Sequence, residues 1–523
     1  MPTHRYEIHS NDRAPSPKSL PKIRHSILND PLPSLNRRSL LAGLSFLTAA
    51  GLIEPQLVAG TLAGERTLDR LAVQQPSAEG TWSSLQVEGT IPLDLNGNLY
   101  RVAPGQKTNH GIQMRHFFDG DAFLTRYQLR EGKATVSGRF IETLERREEA
   151  AAGKMLFNEF GTLAPPPGKG GKNQPNINVI RWDGRLLALS EGGHPSAVDP
   201  ETLSFQDQWN FHGTLPPDVS FTAHPKFDPV TGVGFAFGTH KGKDLALTVY
   251  RMELDGLLTQ VAAIPQPGYY MVHDMLMGSE HLVFVVPPVH YDLPSLFSGR
   301  VTPAEALRCL ATEPMRFIVV RKDGTGAPIT VDQPASMVFH HGNIAEEGGG
   351  MTLDSLLTPG DSILRFVASW SSESHPKAQP TQLTRISIDL KQRTVTGRQV
   401  LAEAQEYPRF DTRRSGKTAR NLYTLQGGND FSMHGLVRHD LVTNTTQRVD
   451  AGDGHAFEEA VFVPRSEKSG EDEGWLLHQG YSAHRNETYL DIRDAATLDR
   501  AARVWTGQHF PLGLHGNFYY DRD

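Results

Sequence analysis

A single cysteine, Cys309, in a chain of 523 residues leaves no partner for an intrachain disulfide and no thiolate set for a zinc or iron–sulfur site. No motif of the His-Glu-x-x-His type puts two ligands on one helix face. Basic residues are in slight deficit, 52 Lys and Arg against 59 Asp and Glu, and the net charge of −7 gives no electrostatic footprint for nucleic acid. The apolar run at residues 42–53, about a dozen residues long, is too short to span a bilayer. A metal in this protein must therefore be held by histidine or carboxylate, and 22 histidines leave that route open.

What is abundant points to strands. Glycine (49) and proline (35) are both plentiful, as expected of many short strands joined by turns. Runs such as Gly97-Asn98-Leu99-Tyr100-Arg101-Val102, Ala122-Phe123-Leu124-Thr125-Arg126-Tyr127, Arg185-Leu186-Leu187-Ala188-Leu189-Ser190 and His281-Leu282-Val283-Phe284-Val285-Val286 are separated by Asp119-Gly120, Asp183-Gly184, Asp228-Pro229 and Asp323-Gly324. Helical periodicity is confined to short stretches, such as residues 303–312. The spacing continues from about residue 80 to the last residues and predicts an all-β catalytic domain, a propeller or a large sandwich, over 80–523. No blade motif repeats, so a propeller would be degenerate.

The N-terminal part reads differently. Residues 1–35 are polar, proline-rich and unpatterned, a disordered composition. Residues 36–64 hold Arg37-Arg38 ahead of the apolar run, the pattern of a twin-arginine export signal. The expectation is export to the periplasm; a cytoplasmic or membrane-associated protein is the alternative.

Four histidines have distinctive surroundings: His224 in Ala223-His224-Pro225-Lys226, His273 before Asp274, His340 in Phe339-His340-His341-Gly342-Asn343, and His515 in Leu514-His515-Gly516-Asn517. They are 49, 67 and 175 residues apart, so only a closed fold could bring them to one axis. Neighbours in a strand point to opposite faces. His273 and Asp274 therefore cannot share one metal, and at most one of His340 and His341 is a ligand; geometry alone leaves open which.

These segments, with Gly97-x-x-x-Arg101, His116-Phe117-Phe118-Asp119-Gly120-Asp121, Glu191-Gly192-Gly193-x-Pro195, Glu406-Tyr407-Pro408 and Glu459-x-Val461-Phe462-Val463-Pro464, occur in an order that resembles the carotenoid cleavage oxygenases. The resemblance spans about residues 80–523. It implies a seven-bladed β-propeller with an iron(II) ion on its axis, a helical and loop cap, and an apolar substrate tunnel. It makes His224, His273, His340 and His515 the metal ligands and places Glu191, Glu406 and Glu459 behind them. Imidazole suits divalent iron, and a carboxylate on the far ring nitrogen fixes the tautomer and raises ligand basicity. The implied activity is oxidative cleavage of a C=C bond in a carotenoid or apocarotenoid, with O2 as co-substrate and two carbonyl products. No side-chain nucleophile is required. The expected partner is an apolar polyene, with peripheral membrane contact for its uptake.

Two rivals remain on the same scaffold. Stilbene-cleaving members are expected to carry a phenol-gripping lysine, and the position after Arg139-Phe140-Ile141-Glu142-Thr143 falls near Glu145, on a segment read as a strand end with Lys154 beyond it. A carotenoid-binding propeller without catalysis is the other. A further departure, Ile344-Ala345 beside His340, is expected to reshape the tunnel.

Overall fold

Turn chemistry sets the strand boundaries. In the computed structural model, which describes residues 65–240, 245–362, 364, 379–427 and 433–521, Asp183 and Gly184 take φ values of 48° and 70° between the paired strands Asn178–Trp182 and Arg185–Leu189. Two successive left-handed residues match the right-handed twist of a tight hairpin. Asp228 accepts from the backbone N–H groups of Val230 and Thr231, each at 3.0 Å, and turns Lys226–Phe227 back onto Gly234–His240.

Seven antiparallel sheets make a seven-bladed propeller. Five are four-stranded meanders in chain order, starting with Asn178–Trp182, Lys226–Phe227, Met275–Met277, Ser336–Glu347 and Gln405–Arg409. The other two join the ends of the chain. His515–Tyr520 pairs with Gly97–Pro104, Val102 opposite His515, and Gln86–Gly89 pairs with Arg500–Trp505. This double closure leaves no open gap in the ring where an unpaired blade edge would meet solvent.

Apolar clusters fill the spaces between blades. Leu276, Val283 and Phe317 of one blade pack against Val338, Leu353 and Ile386 of the next; burying each such side chain stabilises by about 1.5–3 kcal/mol. The run His281–Val286 is apolar at successive positions because a middle strand faces a neighbouring blade on both sides, and Leu282 through Val286 are all buried. The outermost strand Thr394–Glu403 is mostly exposed and polar.

Three findings depart from the sequence expectations. The segment after Thr143 is a helix, Leu144–Ala152, capped by the Thr143 side chain and ended by Gly153 at φ 63°; both caps were present in the sequence as Thr and Gly. The helix expected over 303–312 stops at Ala306, because Leu307–Cys309 pairs instead with Val289–Tyr291. The third is a helix ahead of residue 80, Glu65–Ala72, whose Leu68 and Ala72 pack on Tyr481 and Leu512. All described residues fall within one compact unit, Val58–Asp523. The segments at 1–35 and 36–64, with the paired arginines, lie outside the described residues.

The closure strand tests the ring. A Cβ on Gly97 would sit 2.3 Å from the Tyr519 carbonyl oxygen, a backbone atom that cannot move without breaking the pairing. Gly97→Val is expected to lower unfolding free energy by about 2 kcal/mol or more, read as a fall in the urea midpoint. An unchanged midpoint would mean that this strand pair does not hold the ring closed.

Candidate metal centre

The inner edge of the ring carries the chemistry. His224 immediately precedes Lys226–Phe227, and His273 precedes Met275–Met277. His340 lies inside Ser336–Glu347, where the register to the next strand shifts, and His515 starts the closing strand. Four different blades thus present one imidazole each. All four are buried, and their ligating nitrogens lie within 4.8 Å of one another. Nε2 to Nε2 distances are 3.1 Å for His224–His273, 3.3 Å for His273–His340 and 3.0 Å for His340–His515.

The far ring nitrogens decide what sits between them. His340 Nδ1 is 2.6 Å from Glu406 Oε2 and His515 Nδ1 is 2.8 Å from Glu459 Oε1. His273 Nδ1 lies 2.5 Å from Glu191 Oε1, out of line for a straight hydrogen bond. A carboxylate can only accept, so each of these imidazoles keeps its hydrogen on Nδ1 and turns a bare Nε2 lone pair inward. Three lone pairs at hydrogen-bond distance, with no proton among them, repel unless a cation lies at their centre. The spacing also fits: nitrogens at right angles about 2.1 Å from a first-row divalent ion are about 3.0 Å apart. The four buried histidines form a metal site.

Surrounding charges tune it. Burial lowers His224 well below the usual histidine range, assisted by the other three imidazoles, and pushes His515 down to about 3 despite Glu459. Burial acts to lower His273, but Glu191, with Asp274 and Glu406, leaves it raised. Burial pushes Glu459 up, but Arg409, His515 and Arg101 together hold it well below the carboxylate range.

The adjacency argument resolves cleanly. His341 points away: its Nδ1 meets Ser355 Oγ at 2.8 Å and its backbone N–H donates to Asp274 at 3.1 Å. Asp274 also pairs with Lys226 at 2.7 Å, so Lys226 is a salt-bridge partner one layer out. Other expectations fall elsewhere. Ile344 packs in the inter-blade core with Val338 and Leu353 and does not line the cavity beside the site. Lys154 is exposed. Phe518 packs in the blade core, whereas Phe339 lines the cavity, with its ring 5.3 Å from that of His273. That cavity is walled by Phe118, Phe160, Met271, Leu307, Phe339 and His116, and Phe118 and Phe339 meet edge to face at 6.5 Å.

Three residues were missed as site residues. Arg101 is 2% exposed; it pairs with Glu458 and reaches Glu459 at 2.8 Å. Its signal was a charged residue inside the apolar strand Leu99-Tyr100-Arg101-Val102. Arg409 donates to Glu459 Oε2 at 2.8 Å and to the Gly516 carbonyl at 2.6 Å. Tyr407 has φ of 53°, a conformation that is strained for a bulky residue. It holds its ring centre 5.4 Å from that of His340 and 5.5 Å from that of His515; nothing in the local sequence foretells that backbone.

Comparison with known proteins places the chain in a family. The family model described as retinal pigment epithelial membrane protein matches residues 73–520. An apocarotenoid-15,15'-oxygenase of Synechocystis is 30% identical over 85% of this chain and 94% of its own. A resveratrol cleavage oxygenase of Aspergillus fumigatus is 27% identical over the same shares. The crystal structure of the cobalt-substituted Synechocystis apocarotenoid oxygenase superimposes with a TM-score of 0.81 at 28% identity, covering 87% of this chain and 99% of the other.

The purified chain is expected to hold one divalent ion, measured by elemental analysis. Alanine at His224, His273, His340 or His515 should abolish it, and His341→Ala should keep most of it. Glu191→Gln, Glu406→Gln and Glu459→Gln should each weaken metal retention or activity by about 10–100-fold. Loss of metal from His341→Ala with retention in His340→Ala would contradict the lone-pair argument.

Proposed function

Because the chain belongs to the carotenoid oxygenase family of the retinal pigment epithelial membrane protein, we propose that it is an iron(II) enzyme that cleaves a C=C double bond of a carotenoid or apocarotenoid, each carbon leaving as a carbonyl with one atom of dioxygen. The carrying observation is a largely apolar cavity whose Phe339 wall packs against the His273 ring of a four-histidine centre. Iron(II), when bound by His224, His273, His340 and His515, supplies the activation of dioxygen.

The chain's own residues do the rest. Glu191, Glu406 and Glu459 keep hydrogen on the Nδ1 atoms of their histidines, so all three rings stay oriented as neutral donors. Phe339 separates the His273 ring from the cavity and gives a polyene an aromatic face beside the metal. Phe118, Phe160, Met271 and Leu307 exclude water and contribute affinity through buried apolar area, about 25 cal/mol per Å² before ordering costs. A conjugated chain gains from every added unit, so affinity should rise with polyene length.

A stilbene substrate is favoured less by these residues. The Glu145 region is the start of a helix, Lys154 is exposed, and the buried Lys172 is held by Asp121 at 2.6 Å and Glu149 at 2.8 Å. None of the three presents a free ammonium to a phenol. The test is product mass analysis after incubation with an apocarotenal or a hydroxystilbene under labelled dioxygen. Cleavage of the apocarotenal to two labelled carbonyl fragments is expected. A clear preference for the hydroxystilbene would replace this reading with the stilbene one.

Uptake of so apolar a substrate calls for contact with a lipid surface. No described helix is long and apolar enough to cross a membrane. The short helix Leu293–Phe297 ends on Phe297, which is 80% exposed, and lies against the helix Pro303–Ala306, whose Ala304 lines the cavity. An exposed aromatic on a helix packed against the cavity wall suits insertion among lipid headgroups. Phe297→Glu is expected to reduce cosedimentation with phospholipid vesicles several-fold while leaving metal content unchanged; equal cosedimentation would remove this helix from the contact.

A further inference from the structure

Two polar residues, His116 and Asp361, stand in the otherwise largely apolar cavity wall, and the hydrogen-bonding role of His116 is already half decided. His116 is 4% exposed and lines the cavity. Its ring is wedged between Phe118 and Phe160, with centroids at 4.9 Å and 4.8 Å. Gly161 closes a third side: a Cβ there would fall 2.3 Å from His116 Cβ. The backbone is pinned as well, since the His116 N–H donates to Asp119 at 3.2 Å, and Asp119 also accepts from Gly161 N–H and Thr162 Oγ1.

Within that clamp the backbone N–H of Phe118 donates to His116 Nδ1 at 3.1 Å. Nδ1 must therefore carry a lone pair. Burial, with Lys107 nearby, pushes the imidazole down to about 3, so the ring is neutral and its one hydrogen sits on Nε2. Among the described residues Nε2 has no hydrogen-bond partner. Nε2 is not among the fully buried unpaired atoms, so it keeps access to the cavity, and an acceptor that enters there can take its hydrogen bond.

We propose that His116 is a specificity-determining residue: its Nε2–H donates to the oxygen of a carbonyl or hydroxyl group at the end of the polyene. The inference rests on the substrate cavity assigned above and names what that substrate must carry. The cavity's volume, about 120 Å³, agrees with the seat of an end group. A cavity of about 150 Å³ holds a benzene-sized molecule, so this one accepts a terminal unit and its oxygen while the rest of the chain extends along the aromatic wall. The aromatic series from Phe160 and Phe118 to Phe339 and the His273 ring links that seat to the metal. Anchoring one end thus selects which double bond lies over the iron. A purely hydrocarbon polyene lacks the anchor and has no such register.

The experiment is an anaerobic binding titration of the iron-loaded full chain, in which no turnover occurs. Its ligands are an apocarotenal and the hydrocarbon bearing a methyl group in place of the aldehyde. Wild type should bind the aldehyde roughly ten- to a hundredfold more tightly than the hydrocarbon, and the aldehyde's absorption should shift to the red as its carbonyl accepts a hydrogen bond. His116→Phe, which keeps an aromatic ring in the clamp, should erase both the preference and the shift while leaving hydrocarbon affinity within about threefold. His116→Gln, which restores a donor, should recover part of both. Equal losses for the two ligands in His116→Phe would reduce His116 to a packing residue and overturn the proposal. So would a preference that survives the substitution. If wild type cleaves the aldehyde yet shows either result, only the anchor fails; if wild type neither binds nor cleaves it, the reading of the cavity fails and takes the anchor with it.

Discussion

Three imidazole lone pairs aimed at one point dominate this structure. Left to themselves, His273, His340 and His515 would each place a hydrogen on whichever nitrogen was convenient. The carboxylates behind them remove that choice, and the convergent Nε2 atoms then require a cation. Every larger feature serves to hold those atoms 3.0–3.3 Å apart in a buried place.

A propeller does this with little local sequence. Each blade ends at the axis, so one residue per blade meets six others however far apart they are in the chain. Here all seven blades contribute. His515, His224, His273 and His340 come from four of them, Glu406 from the inner strand of a fifth, Glu459 from the link between His455–Phe457 and Val461–Pro464 in a sixth, and Glu191 from the turn after Arg185–Leu189 in the seventh. The pairing of His515–Tyr520 with Gly97–Pro104 matters twice over. It closes the ring, and it sets the last ligand beside Arg101, on whose strand the buried charge network is built.

That geometry explains what could be read in advance. Short apolar runs bounded by Asp-Gly turns mark strands locally, so the all-β class was legible. The adjacency argument separated His273 from Asp274, and the two side chains do diverge, although the pair lies just ahead of the strand Met275–Met277 and not within a pleat. The ligand set itself was not legible from spacing, because separations of 49, 67 and 175 residues obey the blade count and not any helix or strand period. It came from resemblance. The misreadings share one cause. Leu307–Cys309 has helix-compatible residues but is captured by Val289–Tyr291, and Ile344 sits near a ligand in sequence yet faces the inter-blade core. Proximity along the chain says little about proximity to an axis. Leu144–Ala152 is the opposite case, a helix whose Thr and Gly caps were visible and under-weighted.

The charges around the metal obey a constraint that no single residue shows. Burying ions without partners costs several kcal/mol each, yet this site buries Glu406, Glu458, Glu459 and Arg101 and sets the half-buried Glu191 and Arg409 beside them. They separate into sets. Arg101 pairs with Glu458 and touches Glu459, while Arg409 bonds Glu459, so two guanidinium charges answer two carboxylates and that group is neutral in itself. Glu191 and Glu406 stand outside it, each facing one imidazole, with no cationic side chain among the described residues bonded to either. Their two negative charges are what a divalent ion needs. His224 lacks a glutamate, and under this account it must, because a further carboxylate would leave the pocket anionic and favour a more highly charged ion. Four neutral imidazoles with two uncommitted carboxylates are thus suited to a divalent cation. The arginines that sequence reading passed over are what keep Glu459 as a hydrogen-bond acceptor for His515 without letting its charge count.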